Sequence, residues 1–442
     1  MEVFVENLFT YFFVALLFFL VLYNYLRKQK SDSQIVDEKI KKAKELGIYE
    51  PVSLHPVVDV NSCIQSGACI TACPEKDILG IRNGKAVTIN ASRCVGHSAC
   101  FSACPVDAIS LHIGTEKRGV DLPHVTPNFE SNVEGIYIAG EMGGMGLIKN
   151  AVEQGKQAVQ NLTKSIKNNV ETNYDLIIVG SGPAGISASL QAKKNNLKFL
   201  TLDQDSLGGT VYSFPRAKIV MTSPMDLPLF GKLKLFETSK TELLEIWEKV
   251  LSTNNIKVNL GEKVEEITKL NNIFTVETSK GNYTSKKVLL AIGRRGTPRK
   301  LGIPGEEKEK VAYRLLEPEL IKNQKVIVVG GGDSAIESAI LLSHEGNEVT
   351  LSYRKDSFSR IKPQNFENIT KAKENNSVKI ILNSNLIEIM EDSVKIEIDG
   401  NSKIIENNLV YIFAGGELPT QFLNKVGIKI STKYGEAILQ KQ

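Results

Sequence analysis

The stretch Asp175–Asp203 reads DLIIVGSGPAGISASLQAKKNNLKFLTLD, and it decides how the rest of the chain is interpreted. Its apolar run Leu176–Val179 is typical of a buried parallel strand. Glycines in G-x-G-x-x-G spacing follow where a helix begins; the motif residues are Gly180, Gly182, Pro183 and Gly185. Such glycines allow a tight turn, approach of the backbone to a pyrophosphate, and close packing of helix on strand. The stretch therefore predicts a dinucleotide site at the N-terminus of the helix.

An acid completes this motif. A second apolar run, Phe199 to Leu202, leads to Asp203, which stands eighteen residues past Gly185. A carboxylate at this position can accept hydrogen bonds from a ribose. An ordinary tight loop is the alternative for a lone glycine motif. The order of strand, glycines, helix, strand and acid argues against it.

Length and composition limit the class of protein. A chain of 442 residues is too long for one ordinary core, so two to four domains are expected. The net charge is only +4, and the basic residues are scattered, so no nucleic-acid partner is expected. All six cysteines lie between Cys63 and Cys104. This pattern excludes a secreted disulfide framework and leaves the rest of the chain without a dithiol.

The run Asn7–Leu26 contains 20 uncharged, mostly apolar residues. It is long enough to cross a bilayer as a helix, so a transmembrane segment is expected over residues 4–26. A cleaved signal peptide fits poorly, because basic residues follow the apolar run and no small-residue cleavage site is present. A buried core helix is the remaining alternative.

Flanking charges predict the orientation of this segment. Arg27, Lys28 and Lys30 follow it, whereas Glu2 and Glu6 precede it. Positive flanks face the cytoplasm, so we expect a single-pass membrane protein whose catalytic domains are cytoplasmic.

A linker is expected over residues 27–52. Within it, the lysine-rich segment Gln34–Leu46 predicts a short surface helix. This helix either rests on anionic headgroups or is simply solvated.

The six cysteines form an internal repeat. Residues 63–74 read CIQSGACITACP and residues 94–105 read CVGHSACFSACP, 31 positions later. The repeat resembles that of the bacterial two-cluster ferredoxins, whose motif is C-x2-C-x2-C-x3-C-P. The resemblance implies an α+β ferredoxin-like domain over residues 53–113 with two iron–sulfur clusters of the 4Fe-4S type.

In that family the fourth cysteine of each motif binds the other cluster, so the resemblance implies two ligand sets. The first set is Cys63, Cys69 and Cys104, and the second is Cys94, Cys100 and Cys73. The second ligand position of each motif holds Ser66 or His97 in place of cysteine. Each cluster is therefore one thiolate ligand short. Ser66, His97 or water could supply the missing ligand, or the cluster could lose one iron and become a 3Fe-4S cluster. A ferredoxin fold that has lost its metal is the alternative.

The segment Asn132–Leu162 reads NVEGIYIAGEMGGMGLIKNAVEQGKQAVQNL. It resembles the closing element of thioredoxin-reductase-like flavoproteins, where a strand ending in A-G-D places an acid on the ribityl chain of FAD. Glu141 stands at the position of this aspartate. The glycine-rich residues Met142–Gly146 suit a backbone that approaches the flavin at a helix start.

This closing element comes last in the family but precedes the first glycine motif here. The segments FAGGELP (Phe413–Pro419) and KYGEAIL (Lys433–Leu439) resemble what normally runs directly into it. A circular permutation is therefore expected, with an FAD-binding domain built from residues 114–299 and 409–442.

The permutation makes a structural prediction. The strand Gly135–Ala139 should lie in the same parallel sheet as Leu176–Val179, with Glu141 near the first glycine motif. The chain near Ala437 should lie close to Lys117–Leu122. Residues 163–173 would form the new linker.

Two further segments resemble the same family. LGGTVYSFPRAKIV, from Leu207, resembles the loop under the isoalloxazine, with Gly208 and Gly209 near the ribityl chain. An ordinary glycine turn is the alternative. VLLAIGRRGTPRKLGIPGE, from Val288, resembles the crossover into the second nucleotide domain.

A second dinucleotide domain is expected over residues 300–408. It carries Gly330, Gly332 and Ala335 in G-x-G-x-x-A spacing. Its acid position is Tyr353, and the basic residues that follow are Arg354, Lys355 and Arg360. Basic residues there can hold a 2′-phosphate, which favours NADPH over NADH. A solvated strand end is the alternative.

Together these patterns predict two Rossmann-like domains, a ferredoxin-like domain and one transmembrane helix. Hydride transfer between NADPH and FAD needs no protein acid or base, so no catalytic side chain is expected. We interpret the chain as a membrane-anchored NADPH-dependent FAD and iron–sulfur oxidoreductase that serves an electron-transfer partner. The alternatives are a thioredoxin-reductase-like disulfide reductase without its own cysteine pair and a non-catalytic redox sensor or assembly subunit. Whether the chain forms a homodimer is left open.

Overall fold

The computed structural model describes residues 2–45, 51, 54–75, 77–91, 94, 96, 98–116, 119–144, 146–166, 171–214, 219–221, 224–233, 238–294, 297–358, 361–417 and 419–439. The chain divides into two compact units. The first unit is Met1–Gly119 with Tyr434–Gln442, and the second is Val120–Lys433.

The first unit contains three helices and five strands among its described residues. They are α1 (Glu2–Glu45), β1 (His55–Val58), α2 (Ala68–Ala72), β2 (Leu79–Arg82), β3 (Lys85–Thr88), α3 (Ala99–Ala103), β4 (Ile109–Ile113) and β28 (Glu436–Leu439). β2 and β3 form an antiparallel hairpin, and a second antiparallel sheet has the order β1-β4-β28.

The cysteine repeat is also a structural repeat. α2 and α3 are five residues long, and each follows a left-handed residue, Gly67 at φ 69° and Ser98 at φ 58°. Each ends at a cysteine in extended conformation, Cys73 and Cys104. The two copies therefore present their cysteines in the same local geometry.

The N-terminal region corrects one expectation. A separate membrane segment and linker helix were expected, but α1 runs without interruption from Glu2 to Glu45. Its second half is not fully solvated, because Val36 and Ala43 are buried in the unit. Ser33 Oγ accepts a hydrogen bond from Asn83 N at 3.0 Å, and Asp37 pairs with Arg82 at 2.9 Å. The α1 residues that are buried or bonded to the hairpin recur every three or four positions, so they lie on one helix face.

The second unit begins with the strands and helices of the FAD-binding part. They are β5 (Val120–Pro123), β6 (Ile136–Ile138), α4 (Ile148–Thr163), β7 (Tyr174–Val179), α5 (Pro183–Lys194), β8 (Phe199–Leu202), β9 (Ile219–Met221), β10 (Met225–Leu227), β11 (Gly231–Leu233), β12 (Thr238–Ser239), α6 (Lys240–Thr253), β13 (Val258–Asn259), β14 (Val264–Leu270), β15 (Ile273–Thr278), β16 (Asn282–Leu290) and β17 (Thr297–Pro298). One sheet has the order β13-β8-β7-β16-β15-β14, and β6 also pairs with β16.

The remaining elements form the second nucleotide-binding part and the end of the unit. They are β18 (Val311–Ala312), β19 (Lys325–Val329), α7 (Asp333–His344), β20 (Glu348–Ser352), α8 (Pro363–Glu374), β21 (Val378–Ile381), β22 (Ser384–Ile389), β23 (Ser393–Ile398), β24 (Asn401–Glu406), β25 (Leu409–Ile412), β26 (Gly416–Glu417), α9 (Thr420–Lys425) and β27 (Ile430–Lys433). The parallel sheet β18-β25-β19-β20-β21 carries this part, beside the antiparallel sheet β22-β23-β24. The two expected Rossmann-like folds are confirmed.

The sheet pairing confirms the placement expected for the displaced strand. β6 runs parallel to β16, with Ile136 opposite Val288, and β16 runs parallel to β7. One buried cluster joins the two segments, since Ala158 and Leu162 of α4 pack with Ala188 of α5. The element that precedes the first glycine motif thus shares a sheet and a core with it.

The last strands lie close to the region expected for them, but the partner of Ala437 is displaced to His112. β27 pairs with β5 in the second unit, and β28 pairs with β4 in the first. Ala437 lies opposite His112, while Lys117 and Arg118 are outside the described residues. Residues 409–442 were expected wholly within the FAD-binding domain. β28 differs, because its main-chain hydrogen bonds complete the sheet of the first unit.

Candidate functional site

The first glycine motif forms the turn between β7 and α5. Gly180 has φ 104°, and a Cβ on it would lie 2.5 Å from the carbonyl oxygen of Ala291. A Cβ on Gly185 would lie 1.8 Å from the carbonyl oxygen of Gly180, whereas one on Gly182 would meet nothing within 4 Å. Pro183 stands at the start of α5, where its missing N–H costs nothing. The turn is therefore tight at both ends and open at Gly182, where a phosphate needs access.

Asp203 is tied to this turn. Its Oδ2 accepts hydrogen bonds from Ser181 N at 2.6 Å and from Ser181 Oγ at 2.8 Å. Its Oδ1 accepts one from Asp205 N at 2.8 Å. The glycine motif did not single out Ser181, although a hydroxyl residue between the first two glycines was a usable signal. The carboxylate thus fixes the loop and retains lone pairs for a ribose.

Glu141 follows the displaced strand close to the same turn. Ala139 N donates to Leu290 O at 3.0 Å, which extends the pairing of β6 and β16. Gly140 has φ 92°, and a Cβ on it would lie 3.2 Å from the Cβ of Ala184 in the first turn of α5. Glu141 then opens a short 3-10 turn, Glu141–Gly143. Glu141 therefore lies beside the N-terminus of α5.

A close helix contact holds this arrangement. A Cβ on Gly155 of α4 would lie 2.1 Å from the carbonyl oxygen of Ala184. Only glycine allows α4 to approach the first turn of α5 so closely. Gly155 was not predictable from the sequence, because an isolated glycine within a helical pattern does not reveal its neighbour.

The loop after β8 also contacts the first glycine motif. Gly208 N donates to Ser181 O at 3.0 Å, and a Cβ on Gly209 would lie 3.2 Å from Gly182 Cα. The buried Lys240 Nζ donates to Phe214 O at 2.7 Å and so fixes the far side of the loop. Residues 215–218 of the loop lie outside the described residues.

The second glycine motif repeats this geometry between β19 and α7. Gly330 has φ 143°, and a Cβ on it would lie 2.6 Å from Phe413 O. A Cβ on Gly332 would meet nothing within 4 Å, and Ala335 is fully buried in α7. The residues expected to bind the 2′-phosphate lie after β20.

Tyr353 packs on this motif. A Cβ on Gly331 would lie 2.3 Å from the Tyr353 ring, which stacks on Phe358 at 5.5 Å between centroids. Arg354 and Lys355 are exposed, and Arg360 lies outside the described residues. The aromatic stack therefore leaves Arg354 and Lys355 at the surface beside the second glycine motif.

The first cysteine set lines one pocket of the first unit. Cys63, Cys69 and Cys104 share it with Ser66. Ala86 N donates to Cys63 Sγ at 3.4 Å, and Ala108 N donates to Cys104 Sγ at 3.2 Å. Backbone N–H groups directed at sulfur stabilise thiolates and tune bound clusters. We name this site the first thiol pocket.

In the second cysteine set Cys94 and Cys100 are buried, as Cys63 and Cys69 are in the first. Burial raises the pKa of Cys94 to about 11 and that of Cys100 to about 12. The pKa of Cys73 is also raised by burial, and Cys73 in turn raises the pKa of both Cys94 and Cys100. These thiols therefore stay protonated at neutral pH without metal, and metal binding must release protons. His97 lies outside the described residues.

The donor sets fit clusters better than a single ion. Within the part of the chain that the structure describes, no three His, Cys, Asp or Glu side chains are arranged to hold one metal ion. Cysteines that bind a cluster hold different iron atoms and need not converge on one point. Three thiols and a hydroxyl around one pocket meet that requirement.

Comparisons with known proteins cover both units. The family described as pyridine nucleotide-disulphide oxidoreductase matches residues 177–442, and the 4Fe-4S dicluster domain matches residues 55–105. A ferredoxin–NADP reductase of Ignicoccus hospitalis is 29% identical over 59% of this chain and 83% of its own length. The bacilliredoxin reductase of Bacillus subtilis is 28% identical over 60% of this chain and 84% of its own.

A solved structure is similar to a comparable share of the chain. The bacillithiol disulfide reductase of Staphylococcus aureus is 28% identical, with a TM-score of 0.53 over 59% of this chain and 84% of its own. Both the flavoprotein fold and the iron–sulfur domain expected from the sequence are thereby confirmed.

Proposed function

The chain belongs to the pyridine nucleotide-disulphide oxidoreductase family, and on that premise we propose that it is a membrane-anchored electron-transfer enzyme. It is a flavoprotein oxidoreductase that uses FAD and NADPH and carries a 4Fe-4S dicluster domain. Its proposed activity is to move electrons between NADPH, FAD, the clusters and a one-electron partner.

One observation carries this proposal. Two glycine turns for dinucleotides and two sets of three cysteines stand on one chain, while no cysteine follows Cys104. A bound flavin can take two electrons together and release them singly, and iron–sulfur clusters carry them one at a time. A chain that joins both sites links a two-electron donor to a one-electron acceptor.

We assign each binding role to residues of this chain. The turn Gly180–Gly185 and the N-terminus of α5 hold the FAD pyrophosphate, with Asp203 at the ribose and Glu141 at the ribityl chain. Gly208 and Gly209 approach the flavin from the facing loop. Gly330, Gly332 and Ala335 hold NADPH, whose 2′-phosphate pairs with the basic side chains after β20.

We further propose that the FAD-binding domain is circularly permuted. The parallel pairing of β6 with β16 supports this, because β6 (Ile136–Ile138) thereby belongs to the same sheet as β7, which leads into the first glycine motif. The match to the ferredoxin–NADP reductase of Ignicoccus hospitalis covers 83% of that protein. Residues 114–162 would correspond to the part left unmatched.

Membrane anchoring is the remaining part of the proposal. α1 is long and apolar enough to span a bilayer, and the apolar window is unburied in the described structure. Basic residues follow this window, which favours cytoplasmic catalytic domains. We propose a single-pass anchor with both compact units on that side.

Disulfide reduction is the second candidate function. Relatives named bacilliredoxin reductase and bacillithiol disulfide reductase favour it. The absence of a cysteine pair in residues 105–442 argues against it, because the flavin would have no dithiol relay.

The choice can be tested by steady-state kinetics. Holoprotein purified without oxygen should oxidise NADPH rapidly with ferricyanide, a one-electron acceptor, because the clusters release electrons singly. NADPH oxidation only with disulfide substrates would instead favour the second candidate. No turnover with any acceptor would support a redox sensor or assembly subunit.

Restoring a missing ligand should strengthen the first cluster. We expect Ser66→Cys to raise the iron content and change the EPR spectrum, because a fourth thiolate completes the set around the first thiol pocket. Ser66→Ala is the matched control and should not raise it. Equal iron contents in the wild type and both variants would show that Ser66 is not a ligand position.

A further inference from the structure

The first thiol pocket is attached to the membrane helix itself. Gly84, at the tip of the β2–β3 hairpin, lies between Gln29 of α1 and Gln65 of the cysteine loop. A Cβ on Gly84 would be 3.1 Å from both Gln29 Nε2 and Gln65 Oε1. Gln65 lines the first thiol pocket, and Gln29 stands three residues after Leu26, the end of the apolar run. At 1.5 Å per residue, this contact lies about 4.5 Å beyond the apolar run.

α1 fixes the distance between the first unit and the apolar run. From Gln29 to Ala43, its buried face runs along the hairpin, and Asp37 pairs with Arg82. Lys39 pairs with Asp77 at 2.6 Å, ten residues and about 15 Å further from the apolar run than Gln29. If α1 is tilted by about 20° from the membrane normal, the distance between Gln29 and Lys39 along the normal shortens by less than a tenth. The unit is therefore held at a fixed height and cannot swing freely on a linker.

The first thiol pocket lies beside the upper half of the hairpin, toward the apolar run of α1. It includes Ile81 and Ala86, which face each other in the middle of the hairpin. It also includes Gln65, whose Oε1 would lie 3.1 Å from a Cβ on Gly84 at the hairpin tip.

The rim of the first thiol pocket is apolar and exposed. Ile64 is 62% exposed and Val106 is 37% exposed, and both line the pocket. Val60, before Cys63, is 48% exposed. A standard protein partner buries about 800 Å² on each side. A bilayer surface a few ångströms from Gln65 leaves little room for such a partner here.

We propose, on the basis of the proposed function, that the first thiol pocket sits at the lipid surface and serves a lipid-soluble carrier of the quinone class. The rim of Ile64 and Val106 lies in the headgroup layer, where such a carrier approaches. The net reaction is NADPH + H⁺ + quinone → NADP⁺ + quinol. Two electrons leave NADPH with one proton, and water supplies the second proton to the quinol.

Depth-dependent fluorescence quenching tests the position of the rim. The single tryptophan, Trp247, is fully buried in the second unit and gives a constant background. The probe variant is Ile64→Trp. The control variant is Lys41→Trp, at an exposed position fifteen residues, about 22 Å, beyond Leu26.

Both full-length holoprotein variants are reconstituted in phosphatidylcholine and phosphatidylglycerol vesicles with nitroxide lipids labelled near the headgroup. After subtraction of the wild-type signal, quenching in the Ile64→Trp variant should exceed that in the Lys41→Trp variant by about threefold. The rim lies near the level of Gln29, whereas Lys41 is twelve residues, or about 18 Å, further along α1 from the headgroups. Equal quenching in the two variants would overturn the inference.

A further variant tests the role of the continuous helix. Insertion of Gly-Gly-Ser-Gly between Arg27 and Lys28 separates the two halves of α1. Added to the Ile64→Trp variant, it should reduce quenching to the level of the Lys41→Trp variant. In the otherwise wild-type protein, the insertion should also slow reduction of a long-tailed quinone in the vesicles at least tenfold, with iron and flavin contents unchanged. Retained quenching or quinone reduction would overturn the role of the helix.

A control assay separates the inference from the proposed function. NADPH oxidation with ferricyanide is measured with the wild-type protein in vesicles of the same composition. Full ferricyanide activity of the wild type with equal quenching in the two tryptophan variants overturns only the inference. Strong quenching in the Ile64→Trp variant, with no NADPH oxidation by the wild type, supports the position of the rim and contradicts the proposed function.

Discussion

Replacing Arg354 and Lys355 together with serine should raise KM for NADPH by about 100-fold and leave KM for NADH within about twofold. Both side chains are exposed just after β20, beside the second glycine motif. Only NADPH carries a 2′-phosphate for them to pair with, so the loss must be selective. The measurement is steady-state turnover with each nucleotide.

A matched control uses two basic residues on the same nucleotide-binding part. Lys371 and Lys373 lie in the last turn of α8. Their double replacement with serine removes the same charge and should leave KM for NADPH nearly unchanged. Equal losses with NADPH and NADH in the Arg354 and Lys355 variant would refute the assignment.

Gly155→Ala should cost the protein most of its FAD. The new Cβ would stand 2.1 Å from the carbonyl oxygen of Ala184, which is backbone and cannot turn aside. α4 must then move away from the first turn of α5, and overpacking of this kind costs about 1–3 kcal/mol. Because that turn is the proposed site of the pyrophosphate, we expect FAD affinity to fall at least about tenfold. Flavin content after gel filtration and a titration of FAD into apoprotein would measure this.

Gly281→Ala is the control, because a Cβ there meets nothing within 4 Å and the backbone is not left-handed. It should retain FAD. If Gly155→Ala also retained FAD at wild-type affinity, residues 114–162 would not support the flavin site, and the permuted arrangement would lose its functional meaning.

The sequence predicted most strongly what depends on local chemistry. The turns at Gly180 and Gly330 were predictable because only certain residues permit that backbone, and the cysteine sets because ligand spacing is fixed. The position of β6 was predictable only through family resemblance. No local signal in Gly135–Ala139 indicates which strand it pairs with.

Other features depended on distant neighbours and were missed. Gly155 is a single glycine in a helix, and its structural role depends on its close approach to Ala184, 29 positions away. The continuity of α1 was hidden by the change from apolar to lysine-rich composition. The spacing of Ser33, Val36 and Ala43 on one face was the available signal. The pairing of β28 with β4 joins residues more than 300 positions apart and leaves no local pattern.

Electrons from NADPH should reach the clusters through this one chain. Holoprotein at a known iron and flavin content should be titrated with NADPH without oxygen, and followed by flavin absorbance and EPR. We predict that the flavin bleaches and that EPR signals of the iron–sulfur clusters change with the same stoichiometric additions of NADPH. Bleaching of the flavin with cluster signals that stay those of the oxidised protein would contradict the claim.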